Sequence, residues 1–171
     1  MPESMPQDNS SGAVPESQIV IRKARLTDVG DIFRLINYYA EKQLMLPKTQ
    51  LQLYEYLRDY SVAVDPAANN RLIGCGALHI YWENLAEIRA LAIEPDMARR
   101  RVGTALVREL LAEAKNMGIE QVFVFTYEPK FFGRFGFVQV EHSTMPLKVY
   151  NECFNCPKFN TCDELAMVLH I

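Results

Sequence analysis

The amino-acid sequence predicts a mixed α/β protein, with a twisted sheet of roughly six to seven strands flanked by about four helices. Three observations predict this class. Segments with β-branched, alternating side chains are interleaved with segments of helical apolar spacing. Short turns connect some of the strand segments, which is typical of antiparallel hairpins. One long helical segment separates two strand segments, which is typical of a parallel, right-handed crossover.

The first half of the chain begins with a polar tail and continues as strand, helix, helix. Residues 1–18, MPESMPQDNSSGAVPESQ, carry too little apolar surface to offset the entropy of ordering, so we expect a flexible tail. Residues 19–24 predict a strand, and Thr27 suits the N-cap of a helix that follows. A second helix is expected over residues 50–59, with Leu53, Tyr54 and Leu57 on its buried side.

The second half of the chain is dominated by strands around one long helix. Strands are expected at residues 60–64, Arg71–Trp82 and Leu85–Ile93. A long amphipathic helix is expected from about residue 101 to 117, with Gly118 as a left-handed C-cap. The remaining segments predict a strand at Gln121–Thr126, a short helix at residues 130–135, and strands at 137–141 and 164–170.

Composition limits the classes of function. A chain of 171 residues with 49% hydrophobic and 23% charged residues fits one domain, expected over residues 19–171 with a cysteine-containing segment at 148–163. The net charge of -3 argues against nucleic-acid binding. No apolar stretch predicts a membrane span, and no secretion signal is apparent, so we expect a cytoplasmic protein with small-molecule substrates. The oligomeric state is left open, with a homodimer as one option.

The start of the long helix has the features of an anion site. A strand ends near Pro95, a short loop follows, and the helix begins without an evident side-chain cap. The first backbone N–H groups of such a helix have no intrahelical partner, so they suit a phosphate. Gly103 permits close approach of a ligand, and Arg99, Arg100 and Arg101 add positive charge. The alternative is a solvated helix start with a packing glycine.

Two segments resemble the GNAT acetyltransferase superfamily, and the resemblance covers roughly residues 19–140. Residues 88–111, IRALAIEPDMARRRVGTALVRELL, are similar to the family's strand, proline and Gln/Arg-x-x-Gly-x-Gly/Ala helix start. In the register fixed by the helix, Gly103 matches the final glycine, Arg101 the earlier glycine, and Ala98 the leading Gln/Arg. A shifted register that begins at Arg100 fits the letters but breaks the helical spacing. Residues 131–137, FFGRFGF, resemble the family's Phe-Tyr-x-x-x-Gly-Phe segment.

This resemblance implies that acetyl-CoA is the co-substrate. Its pyrophosphate would be bound at the helix start, mainly by backbone N–H groups. The N–H groups of the preceding strand would face the pantetheine amides and the thioester oxygen if that strand splays from its neighbour. The coenzyme-binding residues that follow from the resemblance are Leu91, Ala92, Ile93, Arg99, Arg100, Arg101, Val102, Gly103, Thr104 and Phe132.

Two further segments resemble the acetyltransferase domain of N-acetylglutamate synthases, especially the short, single-domain forms. They are residues 72–93, LIGCGALHIYWENLAEIRALAI, and residues 44–48, LMLPK. This resemblance implies transfer of an acetyl group to the α-amino group of L-glutamate, the first step of arginine synthesis. The alternatives are an acetyltransferase for another amino acid, an amine or a protein N-terminus, and a non-catalytic acyl-CoA or redox sensor.

The chemistry requires a base, an acid and cations. Glu87, in an alternating strand and at a position where the synthases carry an acid, is the expected base for the amine. Phe132 stands where many family members have a tyrosine that protonates the coenzyme thiolate. Tyr127, Tyr150 or water therefore remains as the proton donor. Lys48 and His79 match basic glutamate-binding positions of the long forms, and Arg89 and Lys148 are additional candidates to bind carboxylates.

Three cysteines near the C-terminus form a separate pattern. Cys153, Cys156 and Cys162 follow a C-x2-C-x5-C spacing without an evident fourth ligand. This pattern is compatible with a zinc site, with redox chemistry or with reduced structural thiols, and metal binding is left open. Cys75 lies in a strand that reads as buried, where a small apolar side chain is expected.

Overall fold

The computed structural model describes residues 18–146, Cys153, Cys156, Lys158 and 161–171. The strands are β1 (Val20–Lys23), β2 (Tyr60–Asp65), β3 (Arg71–Trp82), β4 (Leu85–Ile93), β5 (Gln121–Thr126), β6 (Val138–Val140) and β7 (Leu165–His170). The helices are α1 (Val29–Glu41), α2 (Gln50–Glu55), α3 (Val102–Asn116) and α4 (Pro129–Gly133).

The strands form one mixed sheet in the order β1-β2-β3-β4-β5-β7-β6. All neighbours are antiparallel except β4 and β5, which are parallel and are connected through α3. The predicted mixed α/β class and the parallel crossover are therefore confirmed. The last strand of the chain, β7, lies between β5 and β6, so β6 and not β7 forms that edge of the sheet.

Helix α3 packs on one face of the sheet at short distance. Its buried side chains Leu106, Val107 and Leu110 contact strands β2 to β5. Gly74 and Gly76 of β3 make this approach possible, because a Cβ at Gly74 would lie 3.0 to 3.2 Å from three core side chains. A Cβ at Gly76 would lie 3.1 Å from Leu110 Cδ1. These glycines are needed for packing.

Helices α1 and α2 cover part of the opposite face. Ile32, Leu35 and Ile36 of α1 and Leu53 of α2 are fully buried against β2, β3 and β4. The rest of this face carries His79 and Tyr81 of β3, Glu87 and Arg89 of β4, and Phe123 and Phe125 of β5. Since side chains alternate between the faces of a strand, these residues stand together on the side away from α3.

Several predicted boundaries were wrong. Thr27 does not cap α1: a 3-10 turn at Leu26–Asp28 precedes the helix, and the Asp28 carboxylate accepts a hydrogen bond from the Arg25 N–H at 2.7 Å. The second helix ends at Glu55, followed by a 3-10 turn at Leu57–Asp59, and Tyr54 is 52% exposed. The helix predicted at residues 130–135 is α4, which begins one residue earlier and ends at Gly133. The strand predicted at 137–141 is β6, which is shorter at both ends.

Helix lengths and apolar content also bear on membranes. Among the residues that the structure describes, no helix is both long enough and apolar enough to cross a bilayer. The tail predicted at residues 1–18 falls outside the described residues, except for Gln18.

Candidate active site

The sheet splits between its two parallel strands. Strands β4 and β5 pair at Leu85 with Gln121, Ala86 with Val122 and Glu87 with Phe123, and the pairing stops there. Beyond this point β5 continues to pair with β7 as far as Thr126, while β4 remains paired with β3. The carboxyl half of β4 therefore lies beside an open cleft, which is the splay that the predicted coenzyme site requires.

A bulge in β4 accompanies the split. Arg89 pairs with Ala77 and Ala92 pairs with Cys75, so β4 accommodates an extra residue in this interval. Ala90 has a φ of 52°, in the left-handed region that residues with a Cβ seldom occupy. Bulges bend a strand and leave a residue out of the ladder. Here the bend turns β4 away from β5 at the level of the cleft.

A cavity of about 310 Å³ occupies the cleft. Six of the residues predicted from the sequence line it, and these are Lys48, Glu87, Arg89, Leu91, Tyr127 and Phe132. Ala92 and Ile93 lie farther along β4. The described lining does not include His79. Lys148, predicted to bind carboxylate, and Tyr150 lie outside the described residues.

Glu87 lies at the closed end of the cleft, where β4 and β5 last pair. It is 8% exposed and lines the cavity, with Phe123 beside it on β5 and His79 beside it on β3. The Cys153 thiol also lines the cavity, and its pKa is raised to about 11 by burial and by the negative charge of Glu87. The closed end of the cleft thus combines a buried carboxylate with aromatic and thiol neighbours. Such surroundings suit proton transfer away from bulk water.

Tyr127 faces the cleft from the end of β5. Burial, followed by hydrogen bonding to Asp163, raises its pKa above the ordinary value, so the hydroxyl is protonated at neutral pH. The ammonium group of Lys158 lies 5.6 Å from the centroid of the Tyr127 ring. Phe132 lines the same cavity without a hydroxyl. A phenol therefore lies in the cleft even though residue 132 lacks one, and its hydroxyl is hydrogen-bonded to Asp163.

Two cationic residues, Lys48 and Arg89, also line the cavity. The backbone of Lys48 is held by Asn37, whose side-chain amide donates to the Lys48 carbonyl at 2.9 Å and accepts from its N–H at 3.4 Å. The guanidinium of Arg89 lies 5.4 Å from the centroid of the Tyr56 ring. Asn37 was not found from the sequence, because a clamp between α1 and a loop leaves no local motif.

The start of α3 has the geometry of an anion site. Val102 is the first helical residue, and Arg101 before it makes no side-chain cap. Arg99 and Arg101 have φ values of 70° and 59°, and all three arginines of this loop are exposed. A Cβ at Gly103 would lie 3.4 Å from Phe131 Cζ, which is ordinary contact, so packing does not require glycine at this position.

Sequence comparison identifies the family of this chain. The sequence pattern of the acetyltransferase (GNAT) family matches residues 27–137. The chain belongs to this family. An amino-acid acetyltransferase of Mycobacterium tuberculosis is 39% identical over 133 residues, which is 78% of this chain and 76% of that protein. An uncharacterized N-acetyltransferase of Chlorobaculum tepidum is 36% identical over 155 residues, covering 91% and 98% of the two chains.

Solved structures share the fold of this chain. A Mycobacterium tuberculosis protein in complex with CoA and NLQ matches with a TM-score of 0.78 and 34% identity, over 89% of this chain and 99% of that one. The N-acetylglutamate synthase of Neisseria gonorrhoeae, complexed with coenzyme A and N-acetyl-glutamate, has a TM-score of 0.79 at 21% identity. That match covers 89% of this chain but 35% of the synthase, and it shows the fold alone.

In this GNAT acetyltransferase an ion-pair network fixes the loop between β4 and α3. Glu94 is buried, pairs with Arg34 of α1 and lies 3.7 Å from Arg71 of β3. Arg71 also forms two hydrogen bonds to Asp96, at 2.8 and 3.1 Å. The Tyr39 hydroxyl donates to the carbonyl of Ile93. These contacts hold the helix start in place, and the acid before Pro95 was their only sequence signal.

The C-terminal cysteines of the GNAT domain are free thiols. Within the described residues, no group of three or more Cys, His, Asp or Glu side chains has an arrangement that would hold a metal ion. Burial raises the pKa of Cys162 as well as that of Cys153. Cys75 is fully buried, its Sγ lies 3.6 Å from the Ala90 carbonyl, and burial raises its pKa to about 12. It is a packing residue, as predicted.

Proposed function

We propose that this GNAT acetyltransferase transfers the acetyl group of acetyl-CoA to the α-amino group of L-glutamate. One observation carries the proposal: the cleft between β4 and β5 brings a buried carboxylate, Glu87, together with two cationic residues, Lys48 and Arg89. An amine nucleophile needs a base. The two carboxylates of glutamate need two cations.

In this proposal the coenzyme binds at the start of α3 and along β4. The N–H groups of Val102, Gly103 and Thr104 would bind the pyrophosphate, with the exposed arginines of residues 99–101 adding charge. The pantetheine arm would lie in the split, along Leu91, Ala92 and Ile93, where β4 has lost β5 as its neighbour. The thioester would then reach the level of Glu87. The complex of the 34% identical mycobacterial protein with CoA supports this co-substrate.

The reaction follows from these positions. Glu87 takes a proton from the ammonium group of glutamate, and the free amine attacks the thioester carbonyl. Backbone N–H groups near Leu91 would donate to the oxyanion of the tetrahedral intermediate. The carbon–sulfur bond then breaks, and the nitrogen loses its second proton. Tyr127, which is protonated at neutral pH, would supply the proton that the coenzyme thiolate needs, and the second proton of the nitrogen would return to the Tyr127 oxygen. The one proton left over is then the one on Glu87.

The names of relatives support an amino acid as acceptor. The mycobacterial relative at 39% identity is an amino-acid acetyltransferase. So is a Vibrio vulnificus relative that is 29% identical over 129 residues, although this alignment covers 28% of that longer protein. Glutamate as the acceptor would give the protein a place at the first step of arginine synthesis.

An acceptor panel tests the proposal. The full chain is incubated with acetyl-CoA and one amine at a time, and release of the coenzyme thiol is measured. The panel contains L-glutamate, L-glutamine, L-aspartate, L-lysine, a polyamine and a short peptide with a free N-terminus. We expect kcat/KM for L-glutamate to exceed the values for the other acceptors by about tenfold or more.

Other outcomes separate the alternatives. A clear preference for another amine would reject glutamate and keep the reaction class. Calorimetric binding of acetyl-CoA without turnover on any amine would reject the enzyme and favour an acyl-CoA sensor.

A further inference from the structure

His79 and Glu87 are direct partners across strands β3 and β4. Directly opposed residues share one face of a sheet, and their Cβ atoms are about 4.5–5.5 Å apart. The Nδ1 atom of His79 lies 2.6 Å from Oδ2 of Asp59, which belongs to the 3-10 turn after α2. Three titratable groups therefore follow one another away from the cleft: Glu87, its cross-strand neighbour His79, and Asp59, which is hydrogen-bonded to His79.

The proposed reaction makes such a chain useful. An amine enters as an ammonium ion with one more proton than the free base and leaves as a neutral amide. Its nitrogen loses two protons, one of which ends on the coenzyme sulfur. The other must reach solvent in every turnover. Glu87 is 8% exposed, and bound substrates would cover the open side of its cavity, so its proton needs another exit.

We propose that His79, oriented by Asp59, relays the proton from Glu87 to solvent. The inference rests on the function proposed above. In the neutral imidazole, Nδ1–H donates to the Asp59 carboxylate, and Nε2 is the acceptor. The proton on Glu87 passes to Nε2, directly or through a water molecule, and Glu87 returns to its carboxylate form. The imidazolium, paired with Asp59, then releases one proton to water.

The surroundings of His79 suit this role. The ring is held edge-on by Tyr56 and Tyr81, with centroid distances of 5.3 and 4.9 Å. Such packing restricts rotation of the imidazole ring. The side chains of His79 and Asp59 are 22% and 24% exposed, so the pair lies between the buried carboxylate and solvent.

The charged and titratable groups around the relay come from four elements. Asp59 faces His79 from the 3-10 turn, Tyr56 from the end of α2, Tyr81 from β3 itself and Glu87 from β4. The guanidinium of Arg89 lies over the Tyr56 ring, which itself packs against His79. Asp59 places a negative charge beside the imidazole, and Arg89 places a positive charge beyond the Tyr56 ring.

The test is the buffer dependence of turnover in His79→Gln, with Asp59→Asn as a second variant. At saturating acetyl-CoA and glutamate and low buffer concentration, we expect kcat to fall about tenfold, with both KM values unchanged. Added imidazole should restore much of the loss by carrying the proton itself. His170→Gln, at the exposed end of β7, is the matched control and should behave as wild type.

Three results would overturn the relay. A raised KM for glutamate with unchanged kcat would assign His79 to carboxylate binding, as the sequence suggested. A lower kcat that imidazole does not restore, together with a lower Tm, would assign it a structural role. Wild-type kinetics in both variants would leave it without a role in turnover. If His79→Gln does not fold, the same measurements on Asp59→Asn decide. Failure of wild-type turnover on every amine would instead reject the proposed function.

Discussion

Glu87 and Phe123 are the last residues at which β4 and β5 pair. The burial of Glu87 and the opening of the cleft beside β4 both follow from this one relationship. The paired half of the two strands buries Glu87 at the bottom of the split. In its unpaired half, β4 has N–H and C=O groups that are not paired with β5. A pantetheine arm could hydrogen-bond to them as a neighbouring strand would. The bulge at Ala90 accounts for the divergence.

Gly103 offers a test of the phosphate site. A Cβ at this position would meet Phe131 at 3.4 Å and Ile93 at 3.8 Å, both ordinary contact distances, so Gly103→Ala should fold normally. The added methyl group would stand where the backbone approaches the pyrophosphate. We expect KM for acetyl-CoA to rise about tenfold, as for a loss of about 1.4 kcal/mol of binding, with kcat little changed. Gly30→Ala, in α1 with open space around it, is the control. An unchanged KM would remove Gly103 from the coenzyme site.

Arg101 offers a test of backbone strain. Its φ of 59° costs a residue with a Cβ about 1–2 kcal/mol, whereas glycine adopts it freely. Glycine also makes the unfolded chain more flexible, which offsets part of that gain. We expect Arg101→Gly to be as stable as wild type or up to about 1 kcal/mol more stable, and more stable than Arg101→Ala, by denaturant unfolding. Equal stability of the two variants would show that the left-handed conformation carries no cost here.

Lys48 offers a test of acceptor recognition. If its ammonium group binds a carboxylate of glutamate, Lys48→Met should raise KM for glutamate about tenfold to a hundredfold and leave KM for acetyl-CoA unchanged. Asn37→Ala removes the clamp on the Lys48 backbone and should have a smaller effect in the same direction. Lys42→Met, in a residue that lies over the Tyr38 ring, is the control. Equal effects of Lys42→Met and Lys48→Met would contradict a specific role.

Asp28 offers a test of stability against pH. Burial raises its pKa, but hydrogen bonds from Arg22 and the Arg25 N–H lower it by more, so the net pKa is below the ordinary value. A lowered folded-state pKa stabilises the protein above the ordinary pKa, and the contribution is lost as the pH falls. Asp28→Asn should therefore cost on the order of 1 kcal/mol at neutral pH. The difference should shrink below about pH 4. A constant difference from neutral to acid pH would contradict this assignment.

Much of this architecture could be predicted from the sequence because its patterns are local. The bounds of β3, β4 and β5 agree with their alternating or apolar runs. Gly118 follows the end of α3 in the left-handed conformation of a C-cap, with a φ of 79°. Arg101, placed from the family resemblance at a glycine position, does adopt a left-handed φ. Glu87, Tyr127 and Lys48, from distant parts of the chain, line one cavity.

The remaining features depend on contacts between distant residues. The insertion of β7 between β5 and β6 is a choice of partners that no spacing records. The bond between His79 and Asp59 joins β3 to a turn 20 residues earlier, and either residue alone reads as a surface group. The clamp of Asn37 on Lys48 and the burial of Glu94 against Arg34 are also tertiary contacts. Local propensity carries no information about them.

The turnover of Glu87→Gln tests the central claim most directly. Thiol release from acetyl-CoA with saturating L-glutamate is measured for wild type and variant at the same pH, with coenzyme binding measured by calorimetry. Since the amide keeps the shape of the carboxylate but accepts no proton, kcat should fall on the order of a hundredfold to a thousandfold, with the Kd for acetyl-CoA unchanged. A Glu87→Gln enzyme with wild-type kcat would contradict the assignment of Glu87 as the base.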